Sequence, residues 1–224
     1  MKKIAIITAA GSGSRMGNFL PKQFLLLKNK SILWHTITAF LKAYSDIYFI
    51  VVLPKEYLDA GESLIKELNI TDQSTIVIGG ETRFHSVQNG LKLVNETSVI
   101  FVHDGVRCLV SPELITRCYE QTMLLGSAIP AVASTDSVRI EKGGTHHSID
   151  RNNVRIIQTP QTFLSNIILP AFEQEYNQSF TDEASVIEAF GRSVFLIIGE
   201  YTNIKITRPV DLIIAETILT EKFN

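Results

Sequence analysis

IAIITAAGSGSRMGNFLPKQF, residues 4–24, joins an apolar run of strand length to a glycine-rich loop, and the rest of the chain is read outward from it. Ile4, Ala5, Ile6, Ile7 and Ala9 make the run. It stops at Gly11, and Gly13 and Gly17 follow in the same loop. Glycine lets the backbone approach a ligand with no Cβ in the way. Successive bare N–H groups form an anion-binding concavity. Arg15 lies inside the loop, and Lys22 follows between Pro21 and Gln23. Two fixed cations beside exposed amides suit a polyphosphate better than a single carboxylate. The stretch is therefore expected to hold a nucleoside triphosphate.

Two familiar glycine loops are excluded. A dinucleotide fingerprint needs G-x-G-x-x-G, but Met16 stands where the third glycine belongs and Gly17 comes one residue late. A P-loop needs a glycine directly before Lys and Ser/Thr, which is absent. An ordinary glycine-rich strand-to-helix turn also fits the glycines alone. The combination G-S-G-S-R-M-G with P-K-Q-F is more specific. It resembles the signature of nucleotidyltransferases acting on phosphorylated sugars or polyols, and within these the 2-C-methyl-D-erythritol 4-phosphate cytidylyltransferase family.

Composition narrows the classes independently. A chain of 224 residues, 45% hydrophobic, can bury one sizeable core. A net charge of −2 gives no electrostatic case for nucleic acid or an anionic membrane. The apolar runs are of strand length, far short of the roughly 20 residues that span a bilayer. Met1-Lys2-Lys3 before the first run hints at a signal peptide, but the run leads straight into Gly and Arg with no cleavage site. Cys108 and Cys118 have no metal spacing, so reduced thiols in a cytoplasm are expected.

Leu33, Ile37, Leu41 and Tyr44 share one helical face. Ile47–Leu53, closed by Pro54, reads as a strand covered on both sides. Tyr57–Leu68 follows as a helix, then strands at Thr75–Ile78 and Ser98–Val102. The alternation predicts an α/β fold with a mostly parallel sheet flanked by helices. Helices at Pro112–Leu125, Phe180–Gly191 and Val210–Phe223 and strands at Ala128–Ala133 and Ser193–Ile198 continue it. Between them, Val138, Ile140 and Ile149, with Val154–Ile157, suggest two strands around the Gly143–Gly144 turn. An isolated hairpin is marginal in water, so it is expected to pack on a second copy. The reading is a single domain, 1–224, with a β-arm at about 134–157.

In parallel sheets, ligands bind beyond the strands' carboxyl ends. Thr75–Ile78 leads into GGETRFHSV, residues 79–87, where Glu81, Arg83 and Ser86 flank exposed backbone. A turn and a helix start near Ser86 fit as well. Ser98–Val102 leads into HDGVR, residues 103–107. Asp104, directly after a buried strand, stands where a magnesium ligand would be chosen, although it could equally cap the next turn. Arg107 could pair with it or reach a second phosphate. His103 reads as a packed strand-end residue, and no other histidine has a metal or catalytic partner.

The resemblance covers about Ile4 to Glu216 in five ordered motifs and implies a Rossmann-like, nucleotide-diphospho-sugar transferase type of fold with a dimerising hairpin arm. It implies that Ala10, Gly11 and Gly13 cradle CTP and that Gly80, Glu81 and Ser86 read cytosine. It also implies that Arg15 and Lys22 stabilise the transition state, and that Arg151 and Lys205 orient the acceptor phosphate. Arg83, Asp104, Gly105, Arg107, Ser137 and Thr159 fall in the same substrate-contacting motifs. The family's V-H-D-A-A-R-P run is altered here by Gly105, Val106 and Cys108, and Ser137 and Arg139 stand for the usual Thr and Lys.

The implied reaction transfers CMP from CTP, with Mg²⁺ or another divalent cation, to 2-C-methyl-D-erythritol 4-phosphate. A ribitol 5-phosphate cytidylyltransferase is the alternative. A sugar 1-phosphate uridylyl- or guanylyltransferase, a nucleotide sensor and a dinucleotide-binding oxidoreductase fit the motifs less well.

Overall fold

The computed structural model describes residues 1–11 and 20–221. Gly13, Arg15 and Gly17 lie outside the described residues. In chain order, β1 (Lys2–Thr8) is followed by a two-rung hairpin of β2 (Leu26–Leu27) and β3 (Lys30–Ser31). Then come α1 (Ile32–Ala43), β4 (Tyr48–Leu53), α2 (Leu58–Glu67), β5 (Ser74–Ile78), α3 (Arg83–Leu91), β6 (Ser98–Asp104) and α4 (Pro112–Leu125). The second half holds β7 (Ser127–Ala133), β8 (Val138–Lys142), β9 (Thr145–Ile149), β10 (Arg155–Ile157) and β11 (Gln161–Leu164). It closes with α5 (Ser165–Ala171), α6 (Glu183–Ala189), β12 (Leu196–Ile198) and α7 (Pro209–Glu221).

The strands β6, β1, β4 and β5 pair in that order, all parallel. Antiparallel β11 sits between β6 and β7, and β12 pairs parallel with β7. Side chains of β1 alternate between two cores, as a period of two requires. Ala5 and Ile7 meet Leu33, Ile37 and Phe40 of α1 and Leu114 and Cys118 of α4. Ile4 and Ile6 meet Phe84 and Val87 of α3, Ile168 of α5 and Ile187 of α6. Burial on both faces explains the unbroken apolar runs. Each fully buried Ile or Phe here is worth about 1.5–3 kcal/mol of transfer free energy. Gly90 lets α3 lie close on the sheet: a Cβ there would stand 3.0 Å from Ile6 Cγ2.

Three boundaries differ from expectation. Arg155–Ile157 pairs with β7 in the main sheet, so the arm proper is β8 and β9. β11 and α5 are additional, because Gln161 and Thr162 carry polar side chains into the interior and mask the strand pattern. Helix α3 is capped by Thr82, whose Oγ1 accepts from His85 N–H at 3.4 Å, while Ser86 lies in the helix. Among the described residues, no helix is long and apolar enough to cross a membrane.

Candidate active site

The direction in which strands are added to the sheet reverses between β1 and β6. The chain builds β4 and β5 on one side of β1, then crosses to lay β6 on the other. A ligand crevice belongs at such a switch point, beyond the strand ends. Thr8 and Asp104 are the last register pair there. The seam continues past them: Thr8 Oγ1 donates to the His103 carbonyl at 3.2 Å, and Gly105 N–H donates to the Thr8 carbonyl at 2.9 Å.

A cleft of about 510 Å³ opens over this seam, within the range of small-molecule sites. One wall is the end of β1 through Gly11, with Lys22 and Gln23. The opposite wall is the β5–α3 turn, and the floor is Asp104 with Lys205 and Thr207. The two walls touch: a Cβ on Gly79 would lie 2.3 Å from Ala10 Cβ. Gly80 N–H donates to Ser86 Oγ at 3.1 Å, which fastens the turn to α3. Gln23, 1% exposed, donates its amide to the Ala9 carbonyl at 2.6 Å and so ties Lys22 to the end of β1.

The floor is a charge cluster. Asp104 Oδ1 accepts from Arg83 Nη2 at 3.2 Å and Nε at 3.3 Å. Asp104 Oδ2 lies 2.9 Å from Lys205 Nζ and 3.4 Å from Arg107 Nε. Burial pushes the Asp104 carboxyl up, but Arg83, Lys205 and Arg107 outweigh it and hold it well below the usual carboxylate range. Arg83 also pairs with Glu183, and desolvation of its guanidinium is outweighed by the two carboxylates. Three cations against two carboxylates leave the floor one charge positive, which suits anionic ligands.

Lys205 lies in the chain between β12 and α7, outside regular structure, and its place depends on side chains behind it. Gln158 brackets Glu200, accepting from its N–H at 3.1 Å and donating to its carbonyl at 2.7 Å. Asn203, fully buried, donates to the Thr159 carbonyl at 2.9 Å and accepts at its own carbonyl from Arg107 Nη1 at 2.8 Å. Ile206 N–H donates to the Val106 carbonyl at 3.0 Å.

His103 is the buried strand-end residue expected, packed edge-on against Phe40 at 5.1 Å. Thr159 Oγ1 accepts from Asp104 N–H at 3.1 Å and donates to His103 Nδ1 at 3.0 Å. The imidazole then donates from Nε2 to the Arg107 carbonyl at 3.2 Å. Burial pushes its pKa down to about 3. A neutral ring engaged at both nitrogens is a strut under the floor, not a proton carrier.

The cleft thus gathers Ala10, Gly11, Lys22, Gly80, Glu81, Arg83, Ser86, Asp104 and Lys205. Gly105, Arg107 and Thr159 lie behind the floor and shape it. Ser137 and Arg151 are exposed beside the hairpin and do not line the cleft; Arg151 Nη1 donates to the Thr135 carbonyl at 2.8 Å. Gln23, Gln158, Glu183 and Asn203 escaped the sequence reading. The signal available for Gln23 and Asn203 was a polar residue inside a motif otherwise apolar or basic.

The donor set does not fit a protein-held metal. Among the described residues, no group of three His, Cys, Asp or Glu side chains could enclose one. Asp104 offers one carboxylate already ringed by three cations, whereas Mg²⁺ prefers free carboxylates and phosphate oxygens.

The sequence model of the family described as 2-C-methyl-D-erythritol 4-phosphate cytidylyltransferase matches residues 3–221. An enzyme of that description from Bacteroides fragilis is 42% identical over 219 residues, covering 98% of this chain and all of the relative. The one from Phocaeicola vulgatus is 42% identical over 220 residues, with the same coverage. The crystal structure of 4-diphosphocytidyl-2C-methyl-D-erythritol synthase from Anaerococcus prevotii superposes with a TM-score of 0.83 at 31% identity, covering 98% of this chain and 99% of that one.

Proposed function

The chain belongs to the 2-C-methyl-D-erythritol 4-phosphate cytidylyltransferase family, and from that premise we propose how its residues divide the work. The enzyme transfers CMP from CTP to 2-C-methyl-D-erythritol 4-phosphate, giving 4-diphosphocytidyl-2-C-methyl-D-erythritol and pyrophosphate. An oxygen of the acceptor phosphate attacks the α-phosphorus of CTP, a new P–O bond forms, and the bond to the β-phosphate breaks. The nucleophile is already largely dianionic, its second pKa being about 6, so no general base is needed. What remains is positioning and charge stabilisation.

The observation that supports the assignment of residues is the positive floor at the switch point, with Lys205 on Asp104 and Lys22 across the cleft. Lys22, with Arg15, stabilises charge on the α-phosphate. Lys205 directs the acceptor phosphate. Gly80, Glu81 and Ser86 read cytosine, whose exocyclic amine supplies hydrogens where uracil has a carbonyl. Ala10, Gly11 and Gly13 offer backbone to the triphosphate. Mg²⁺ would enter on CTP as part of the substrate and would help neutralise its phosphates.

Arg151 and Ser137 act from a second copy. Among the described residues the β8–β9 hairpin pairs only with itself, and it is exposed along nearly its whole length, which supports a homodimer in which one protomer's arm reaches the other's cleft. We place the enzyme in the cytoplasm, where the two free cysteines, Cys108 and Cys118, would stay reduced.

The test is pyrophosphate release with CTP and Mg²⁺, using 2-C-methyl-D-erythritol 4-phosphate and ribitol 5-phosphate in parallel. Preference for the methylerythritol phosphate is expected. Equal or greater use of ribitol phosphate would overturn the acceptor assignment.

A further inference from the structure

Glu183 is the first residue of α6 and is 1% exposed. Its backbone position is fixed to the sheet. Asp182 and Ser185 close a capping box, and Gln161 accepts from Ala184 N–H at 2.7 Å while donating to Asp182 Oδ2 at 2.8 Å. Gln161 itself is in register with Val102 of β6, the strand that ends at Asp104. Glu183 is thereby held at a set distance from the cleft floor.

Among the described residues its carboxylate meets one partner, Arg83 Nη1, and Oε2 is buried with no hydrogen bond. Burial pushes its pKa up against the pull of Arg83. An incompletely satisfied buried carboxylate is costly to keep, and the rest of the α6 core, Ala184, Val186 and Ile187, is apolar. What the charge accomplishes is therefore found on Arg83. With Nη1 on Glu183 and Nε and Nη2 on Asp104, the guanidinium is a strut between two carboxylates at the edge of the cleft.

We propose that Glu183 is a positioning residue for the transfer: by retaining Arg83 it fixes the Asp104 carboxylate, whose other oxygen sets the Lys205 ammonium for the acceptor phosphate. Without the negative charge, Arg83 is free to take both Asp104 oxygens in a fork or to swing toward the triphosphate. Either movement disturbs the Lys205 contact at 2.9 Å. The proposal rests on Lys205 being the acceptor clamp.

The experiment is steady-state kinetics in both substrates, with thermal melting, on Glu183→Gln, Arg83→Lys and the double variant. Lysine at 83 cannot bridge two carboxylates with a planar fork. Each single variant is expected to lose about 10- to 100-fold in kcat/KM for methylerythritol phosphate, as for a misplaced positioning group, while KM for CTP moves less than about twofold. The double variant is expected to lose no more than the worse single one, because the two act as a unit. A purely structural role would lower the melting temperature and scale kcat/KM for both substrates alike. That result, or multiplying losses in the double variant, would overturn the proposal. Should Glu183→Gln not fold, Arg83→Lys carries the same prediction by itself. Lys205→Ala is the control: an unchanged acceptor KM would overturn the clamp and the proposal together, whereas a raised KM with wild-type behaviour in Glu183→Gln would overturn the proposal alone.

Discussion

Asn203 donates its side-chain amide to the Thr159 carbonyl across 2.9 Å, wholly out of solvent. The bond joins the irregular segment carrying Lys205 to the residue that holds Asp104 N–H. Asn203→Ala should strand a buried carbonyl and cost about 1–3 kcal/mol. The acceptor KM should rise more than that for CTP. Urea unfolding alongside two-substrate kinetics checks both effects; an unchanged acceptor KM would leave Asn203 a stability residue only.

Lys205→Ala and Lys22→Ala each remove a cation from the cleft, and each should lower turnover by about 10²–10³-fold. Arg15→Ala is expected to do the same. Single-turnover measurement at saturating CTP separates this from weakened binding, and near-normal turnover would exclude the residue from the transition state.

His103 makes stability depend on acid. Its native pKa, about 3, lies below the ordinary value near 6.5. The unfolded chain therefore takes a proton that the folded one refuses. The contribution is complete above pH 6.5 and drains as pH falls toward 3, by up to about 1.4 kcal/mol per pH unit. Depressed Asp104 adds acid sensitivity only below its unfolded value near 4, whereas raised Glu183 acts above its own unfolded value near 4.5, where it opposes the His103 slope. Between pH 4.5 and 6.5 the slope of unfolding free energy should flatten in His103→Gln. An unaltered slope would mean that another group titrates.

Gly80→Ala should damage nucleotide binding before it damages the core. The added Cβ would stand 2.9 Å from the His85 carbonyl carbon and 2.4 Å from His85 Cβ, so the turn must move. KM for CTP is expected to rise at least about tenfold, on the scale of a group displaced by an ångström. Calorimetry with CTP alone decides it; wild-type affinity would remove the turn from the nucleotide site.

Removing the hairpin, residues 138–149, should leave a folded monomer without activity. The hairpin contributes no strand to the main sheet. Light scattering with circular dichroism reports both properties, and a dimer surviving the deletion would move the interface elsewhere.

The central sheet was legible because buried parallel strands write unbroken apolar runs, as in Ile47–Leu53 and Ser98–Val102. The cleft walls were legible because each strand end carried glycine and charge: Gly79, Gly80 and Asp104. What stayed hidden acts through distant partners. Glu183 falls inside the helix expected at Phe180–Gly191, and nothing near it in the sequence points to its partner Arg83, a hundred residues away. Asp104 looked like an open metal ligand because Lys205, which occupies it, lies on the far side of the chain. Gln161 broke the strand pattern of β11 because its side chain serves α6. Periodicity reports which face is apolar; it does not report which polar groups meet.

Asp104 ends the most thoroughly buried strand, every residue of β6 being out of solvent, whereas Lys205 rides on chain without regular structure. The two halves of the site should therefore open in different cooperative units of unfolding. Amide exchange at Phe101 and Val102 should require global opening, while amides flanking Lys205 exchange through a smaller, cheaper fluctuation. On warming, such a molecule loses its grip on the acceptor first and stays competent to hold the nucleotide until the sheet itself melts.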